Sequence, residues 1–222
     1  MNKEQIKNKL QESINWSAFF SLAQDVFQDP GFQSNADNFA RATLFEMALE
    51  QLSSMPCQVE RIDEDGCDLL FHMEEVYEPV RGELKTFRNA LFYKKGSKVH
   101  NLGPGDTKAI KMKNYRGDTG PATLARYKRE KCFDFLLVIQ FQPAEIILAK
   151  DEEVRPLYYD NGSDGVWVNL PKRIYTKLDV FVDDSIQRTG PMLSERIRET
   201  YKNYIMSYAR ACLLYTSPRP RD

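Results

Sequence analysis

The chain is 222 residues long, 42% hydrophobic and 28% charged, with a mean hydropathy of −0.54. That is enough apolar material for one substantial domain or two small ones, and too much for a disordered chain. The longest apolar run, near residues 133–141, is interrupted by Asp134 and Gln140 and falls short of the roughly 18 residues of a membrane span. No apolar leader follows Met1, and the four scattered cysteines (Cys57, Cys67, Cys132, Cys212) do not form a disulfide framework, so a cytoplasmic protein is expected.

Residues 3–27 carry apolar side chains at helical spacing (Ile6, Leu10, Ile14, then Phe19, Phe20, Leu22, Val26), which predicts two helices parted near Asn15-Trp16-Ser17. Asp29-Pro30-Gly31 ends this unit. Capping residues at 34–37 then open a helix to about Ser53, with Phe39, Ala42, Phe45, Leu49 and Leu52 on its apolar face. After Met55-Pro56 the period changes from about 3.6 to about 2. Strands are predicted at 57–62, 67–73, 81–87 and 109–113, the first two joined by a turn at 63–66. In the second, Cys67, Leu69, Phe71 and Met73 face one way and Asp68, Leu70 and His72 the other.

Gly120-Pro121 opens a helix to about Lys131. Residues 133–141 read as a strand buried on both faces. Further strands are predicted at 144–149, 166–170 and 178–182, an acidic loop at 151–165, and a last helix at 192–211. The fold class is α/β (α+β), a mixed central sheet flanked by helices.

Glu83 and Lys85 are two apart on one strand and therefore share a face, with Leu84 directed to the core. Asp68 lies on the polar face of the preceding strand. Pairing those strands brings two carboxylates and an ammonium together. Paired carboxylates suit a hard divalent cation such as Mg²⁺. An adjacent lysine suits a water attacking a phosphate.

This Asp68…Glu83-x-Lys85 pattern resembles the PD-(D/E)XK nuclease superfamily, whose core is a helix, a three-stranded meander, a second helix and a further strand. Cys67 stands where that family prefers proline. The resemblance spans residues 37–141 as the nuclease core. An N-terminal helical segment (1–36) precedes it, and a sheet extension with a C-terminal helix (142–211) follows as a DNA-contact or dimer surface. It implies that Asp68 and Glu83 hold Mg²⁺ and that Lys85 positions the attacking water. Many such nucleases add an acidic residue from the first core helix. Glu46 and Glu50 are the candidates, with Glu50 favoured because it lies nearer the strand. His72 reads as a structural histidine.

Residues 85–131 hold 13 of the 31 basic residues and only 3 acidic ones, against 6 basic and 16 acidic in residues 1–84. The overall charge of −1 thus conceals a block of +10. Arg88, Lys94, Lys95, Lys98, Lys108, Lys111, Lys113 and Arg116 are the candidate DNA contacts, with Tyr93, Tyr115, Asn89 and Asn114 interleaved. "ELKTFRNALF" and "KAIKMKNYRG" resemble type II restriction endonucleases. That implies double-stranded DNA as substrate, a homodimer, a cognate methyltransferase as genetic partner and a prokaryotic cytoplasm. A structure-selective repair or recombination nuclease and a non-catalytic nucleic-acid-binding protein are the alternatives.

Residues 103–108 lack phosphate-loop spacing, and two histidines cannot build a familiar zinc site. The last eleven residues, 212–222, resemble a translated sequencing adapter, which places the expected end of native sequence near Ala211.

Overall fold

The computed structural model describes residues 2–28, 38–89, 93–95, 98–100, 107–114, 120–160 and 165–180. Helix α1 (Lys3–Ser13) begins at a reciprocal cap: Asn2 Oδ1 accepts the Gln5 N–H at 2.8 Å, and Gln5 Oε1 accepts the Asn2 N–H at 2.9 Å. Helix α2 (Trp16–Gln28) follows after one break, as the spacing predicts, and α3 is Asn38–Leu52. The α1–α2 junction is tied to the end of α3. Asn15 N–H donates to Leu52 O at 3.0 Å and Ser54 N–H to Ser13 O at 2.9 Å, while the buried Ser13 hydroxyl accepts Cys57 N–H at 2.9 Å. The exit of α3 into the first strand is thereby positioned.

The main sheet has six strands in the order β1-β2-β3-β7-β8-β11. They are β1 (Cys57–Glu64), β2 (Cys67–Met73), β3 (Val80–Asn89), β7 (Phe135–Gln142), β8 (Ala144–Lys150) and β11 (Tyr175–Lys177). All neighbours are antiparallel except β3 and β7, which run parallel. Between them lie the hairpin β4 (Tyr93–Lys95) and β5 (Lys98–His100), then β6 (Thr107–Asn114) and α4 (Gly120–Arg129). From α3 to β7 the main elements run helix, meander, helix, strand, and the sheet is mixed, as expected.

Two apolar layers enclose the sheet. On one face α1–α3 pack Leu10, Phe19, Phe45 and Leu49 against Leu69, Phe71, Leu137 and Phe141. The rings of Phe19, Phe27 and Phe45 meet Phe141 with centroids 5.9, 5.1 and 4.8 Å away, each such pair contributing about 0.5–1.5 kcal/mol beyond burial. On the other face Tyr127, Phe133, Leu136 and Val138 pack against Val166 and Val168. Strand β7 alternates between the layers and is buried from Phe135 to Phe141. Gly82 permits close packing within the sheet: a Cβ there would lie 2.4 Å from Phe71 Cε2.

Several expectations change. Strand 109–113 is longer and leaves the main sheet. As β6 it joins β10 (Gly165–Pro171) and β9 (Tyr158–Asp160) in a second sheet, because its Ile110 and Met112 bury against Val166 and Val168. The strand at 166–170 is therefore not an extension of the main sheet. The described part of 151–165 is not a loop either. It forms α5 (Asp151–Val154), a 3₁₀ turn and β9, since Val154 and Tyr158 belong to the second core and the buried Asp151 accepts from the half-buried Arg155 guanidinium. Among the described residues the strand that follows β8 in the main sheet is Tyr175–Lys177, which takes the β8 ladder; residues 178–180 of the predicted 178–182 strand are not in a strand, and 181–182 lie outside the described residues. The predicted helix at 192–211, the caps at 34–37 and the tail at 212–222 lie outside the described residues. Among the described residues no helix is long and apolar enough to cross a membrane.

Candidate active site

Strand β2 alternates as its sequence demands: Cys67, Leu69, Phe71 and Met73 are buried, and Asp68 faces the opposite side. Backbone pairing with β3 sets Leu69 opposite Gly82, which brings Asp68 beside Glu83. Asp68 Oδ2 accepts the Leu84 N–H at 2.8 Å. Leu84 itself turns into the helical core, so Glu83 and Lys85 share the other face. Lys85 Nζ donates to Glu83 Oε1 and to Leu84 O at 3.2 Å, and lies 3.9 Å from Asp68 Oδ2. All three predicted residues thus meet.

Glu83 is the most enclosed, with its side chain 5% exposed against 27% for Asp68 and 20% for Lys85. Its Oε2 is buried without a hydrogen-bond partner. Burial pushes the Glu83 carboxyl up to about 7, Lys85 opposing and Asp68 adding to the rise. Burial works against the Lys85 ammonium, but the charges of Glu83 and Asp68 outweigh it and hold its pKa above the ordinary lysine value. Lys85 is therefore a hydrogen-bond donor across the neutral range.

On helix α3, Glu46 is the acidic residue on which Asp68 acts electrostatically. Its carboxyl is raised by burial and then by Asp68, and lowered by Arg61 and Lys85. Arg61 Nε donates to Glu46 Oε2 at 2.9 Å. Glu50, the favoured candidate, instead accepts the Arg61 backbone N–H at 3.0 Å. Glu50 thus meets the strand backbone, while Glu46, one turn earlier, takes the Arg61 side chain. Among the described residues no group of three or more His, Cys, Asp or Glu forms a metal-holding cluster. What meets is a carboxylate pair with one unpartnered buried oxygen, a donor set that suits a hard, oxygen-seeking cation.

The basic residues divide. Lys113 and Arg126 both pair with Asp65, which holds β6 and α4 to the β1–β2 turn. Lys108 pairs with Glu145. Lys111 lies over Trp167 at 5.4 Å and Arg88 over Phe27 at 5.3 Å. Lys94, Lys95 and Lys98 sit on the β4–β5 hairpin, whose side chains, like Arg116, lie outside the described residues. Lys108 and Lys113 are thus engaged within the protein and do not form a free row. His72 pairs with Glu60 at 2.6 Å, in keeping with a structural histidine. Arg61 and Asp65 escaped sequence reading. The polar alternation of β1 marks Arg61's strand, but its partner depends on tertiary packing.

The described fold is a mixed α+β architecture with its charged cluster at the β2–β3 junction. No protein-family model and no curated protein matches the chain. Among solved structures it is similar to a bacterial homing endonuclease, at 14% identity over 82% of this chain and 97% of that chain, with a TM-score of 0.25. What the site can do follows from its own residues.

Proposed function

We propose that the protein is a Mg²⁺-dependent endonuclease of the PD-(D/E)XK kind that hydrolyses phosphodiester bonds of double-stranded DNA, with type II restriction-like specificity. The observation that supports this is the meeting of Asp68, Glu83 and Lys85 on one sheet face, with Glu83 Oε2 buried and unpartnered.

Asp68 and Glu83 would hold the cation, which when bound polarises a phosphoryl oxygen and acidifies a water. Lys85 keeps its proton at Nζ, so it orients the attacking water by donation and offsets charge gathering on the phosphate. The water oxygen forms the new bond to phosphorus as the bond to the 3′ oxygen breaks, leaving 5′-phosphate and 3′-hydroxyl ends. Glu46, held by Arg61, adds negative charge beside Asp68. Arg88, Lys111 and the β4–β5 hairpin lysines supply the phosphate contacts. A homodimer on a palindromic site and a neighbouring methyltransferase gene complete this reading.

Plasmid DNA incubated with purified protein and Mg²⁺ tests it, beside Asp68→Asn and Lys85→Ala. Discrete fragments from wild type alone support restriction-type cleavage. Cutting confined to branched or damaged DNA favours a repair or recombination nuclease. DNA binding without Mg²⁺-dependent cutting rejects both.

A further inference from the structure

Among the described residues β1 is an end strand of the main sheet, eight residues long. Such a strand presents alternate N–H and C=O groups along its outer edge, the template on which another extended chain pairs. In the antiparallel ladder with β2, Cys57 lies opposite Met73, Val59 opposite Phe71 and Arg61 opposite Leu69. Successive residues point their N–H groups alternately toward β2 and away from it. Cys57, Val59 and Arg61 form one alternating set, and each of their N–H groups donates to a side chain from outside the sheet. Cys57 N–H donates to Ser13 Oγ at 2.9 Å, Val59 N–H to Ser53 Oγ at 2.8 Å and Arg61 N–H to Glu50 Oε1 at 3.0 Å. Ser13 ends α1, Glu50 lies in the last turn of α3 and Ser53 follows that helix. The Ser53 hydroxyl is itself oriented by donating to Glu50 O at 2.9 Å. Beyond Arg61 the register shifts before Glu64 pairs with Cys67, so the regular edge stops where the caps stop.

An added strand would need these three donors, and each is already held by an acceptor fixed at a helix end. We infer that Ser13, Ser53 and Glu50 close the outer edge of β1 against addition of a strand from a second copy of this chain. Long, regular end strands invite such pairing, and proteins that stay discrete block them. Glu50 thereby has a task apart from the charged cluster, and any pairing of two copies is directed to another surface. The inference stands on the three hydrogen bonds and the strand order, and is independent of the proposed nuclease function.

The test uses the full chain without DNA. In wild type, the amides of Val59 and Arg61 are expected to exchange their hydrogens as slowly as those of Gln58 and Glu60, the alternate set directed to β2. Free exchange at Val59 and Arg61 overturns the inference. The double variant Glu50→Ala with Ser53→Ala removes two caps, while Glu50→Gln with Ser53→Thr keeps both acceptors. In the alanine pair the two amides are expected to exchange about tenfold faster in dilute solution, the factor for one ordinary hydrogen bond. Its mass by light scattering is expected to rise with concentration and fall again on dilution, with both amides protected in the larger species. The acceptor-keeping pair is expected to match wild type. An alanine pair that is folded by circular dichroism yet keeps the wild-type mass at every concentration overturns the inference. So does a rise in mass that leaves both amides fast, because association then uses another surface. Should the alanine pair fail to fold, Ser53→Ala alone carries the same readouts at Val59. No readout involves cleavage, so a protein that fails to cut DNA leaves this result standing, and the reverse also holds.

Discussion

Asp68 Oδ2 accepts the backbone N–H of Leu84 at 2.8 Å, just beyond the pairing of Leu69 with Gly82. The carboxylate thus takes a position in the ladder between β2 and β3 as well as in the charged cluster. Its two roles separate by substitution. Asp68→Asn keeps an oxygen acceptor for Leu84 and is expected to fold with near wild-type Tm while losing cleavage. Asp68→Ala loses both and is expected to cost about 1–3 kcal/mol, the usual range for a buried donor left unsatisfied. Denaturant unfolding of the two variants, run beside the plasmid assay, checks this.

Arg61 and Glu46 form a half-buried ion pair at 2.9 Å, and the charge of Asp68 is among the causes that raise the Glu46 carboxyl pKa. Arg61→Ala leaves Glu46 beside a like charge and is expected to destabilise by about 1–3 kcal/mol. Adding Glu46→Gln to that variant should recover part of the loss. A double-mutant cycle by urea unfolding measures the coupling, and additive losses would argue against the pairing.

Gly82 faces Phe71 so closely that a new Cβ would sit 2.4 Å from the ring. Gly82→Ala is expected to overpack the junction at a cost of about 1–3 kcal/mol. Phe71→Leu in the same chain should restore part of it by giving the methyl group room. Thermal melts of the single and double variants decide.

Glu145 on β8 pairs with Lys108 of β6 and Lys177 of β11, linking the second sheet to the main one. Burial pushes its carboxyl up, but the hydrogen bonds from the two lysines prevail and leave its pKa below the ordinary 4.5. The folded form therefore holds its proton less tightly than the unfolded chain. The resulting stability is fully present above about pH 4.5 and lost as pH falls through the depressed folded value. The Tm difference between wild type and Glu145→Gln should be constant near neutrality and shrink in acid below that value.

Lys108 and Arg88 should respond differently to DNA. Lys108 is held by Glu145, and its replacement by alanine is expected to lower Tm with little change in the salt dependence of binding. Arg88 is exposed, and Arg88→Ala should weaken binding across sequences and reduce the log–log salt slope by about 0.9. Filter binding on Asp68→Asn, for which the proposed function expects no cleavage, at several salt concentrations distinguishes them.

The helix pair, the alternating β2, the buried β7 and the shared face of Glu83 and Lys85 were all legible in the sequence. Each depends only on local period, which places residues i and i+2 on one face of a strand and i, i+3 and i+4 on one face of a helix. The different partners of Glu46 and Glu50 were not, because one helical turn decides which carboxylate takes the Arg61 side chain and which its backbone N–H. Nor did the basic block disclose that Lys108 and Lys113 find acidic partners 37 and 48 residues away in sequence.

Of the features read at the outset, the uneven charge and the Asp68…Glu83-x-Lys85 spacing belong to the sequence by itself, since composition and strand period need no partner. Tertiary structure alone decided that β6 joins β10 and β9 in a second sheet. It also decided that Asp65 holds Lys113 and Arg126 at the β1–β2 turn, and that Glu83 Oε2 is buried. The physical reason is that burial and ion pairing act between segments far apart along the chain, so only the packed fold sets which groups lose water and which charges meet.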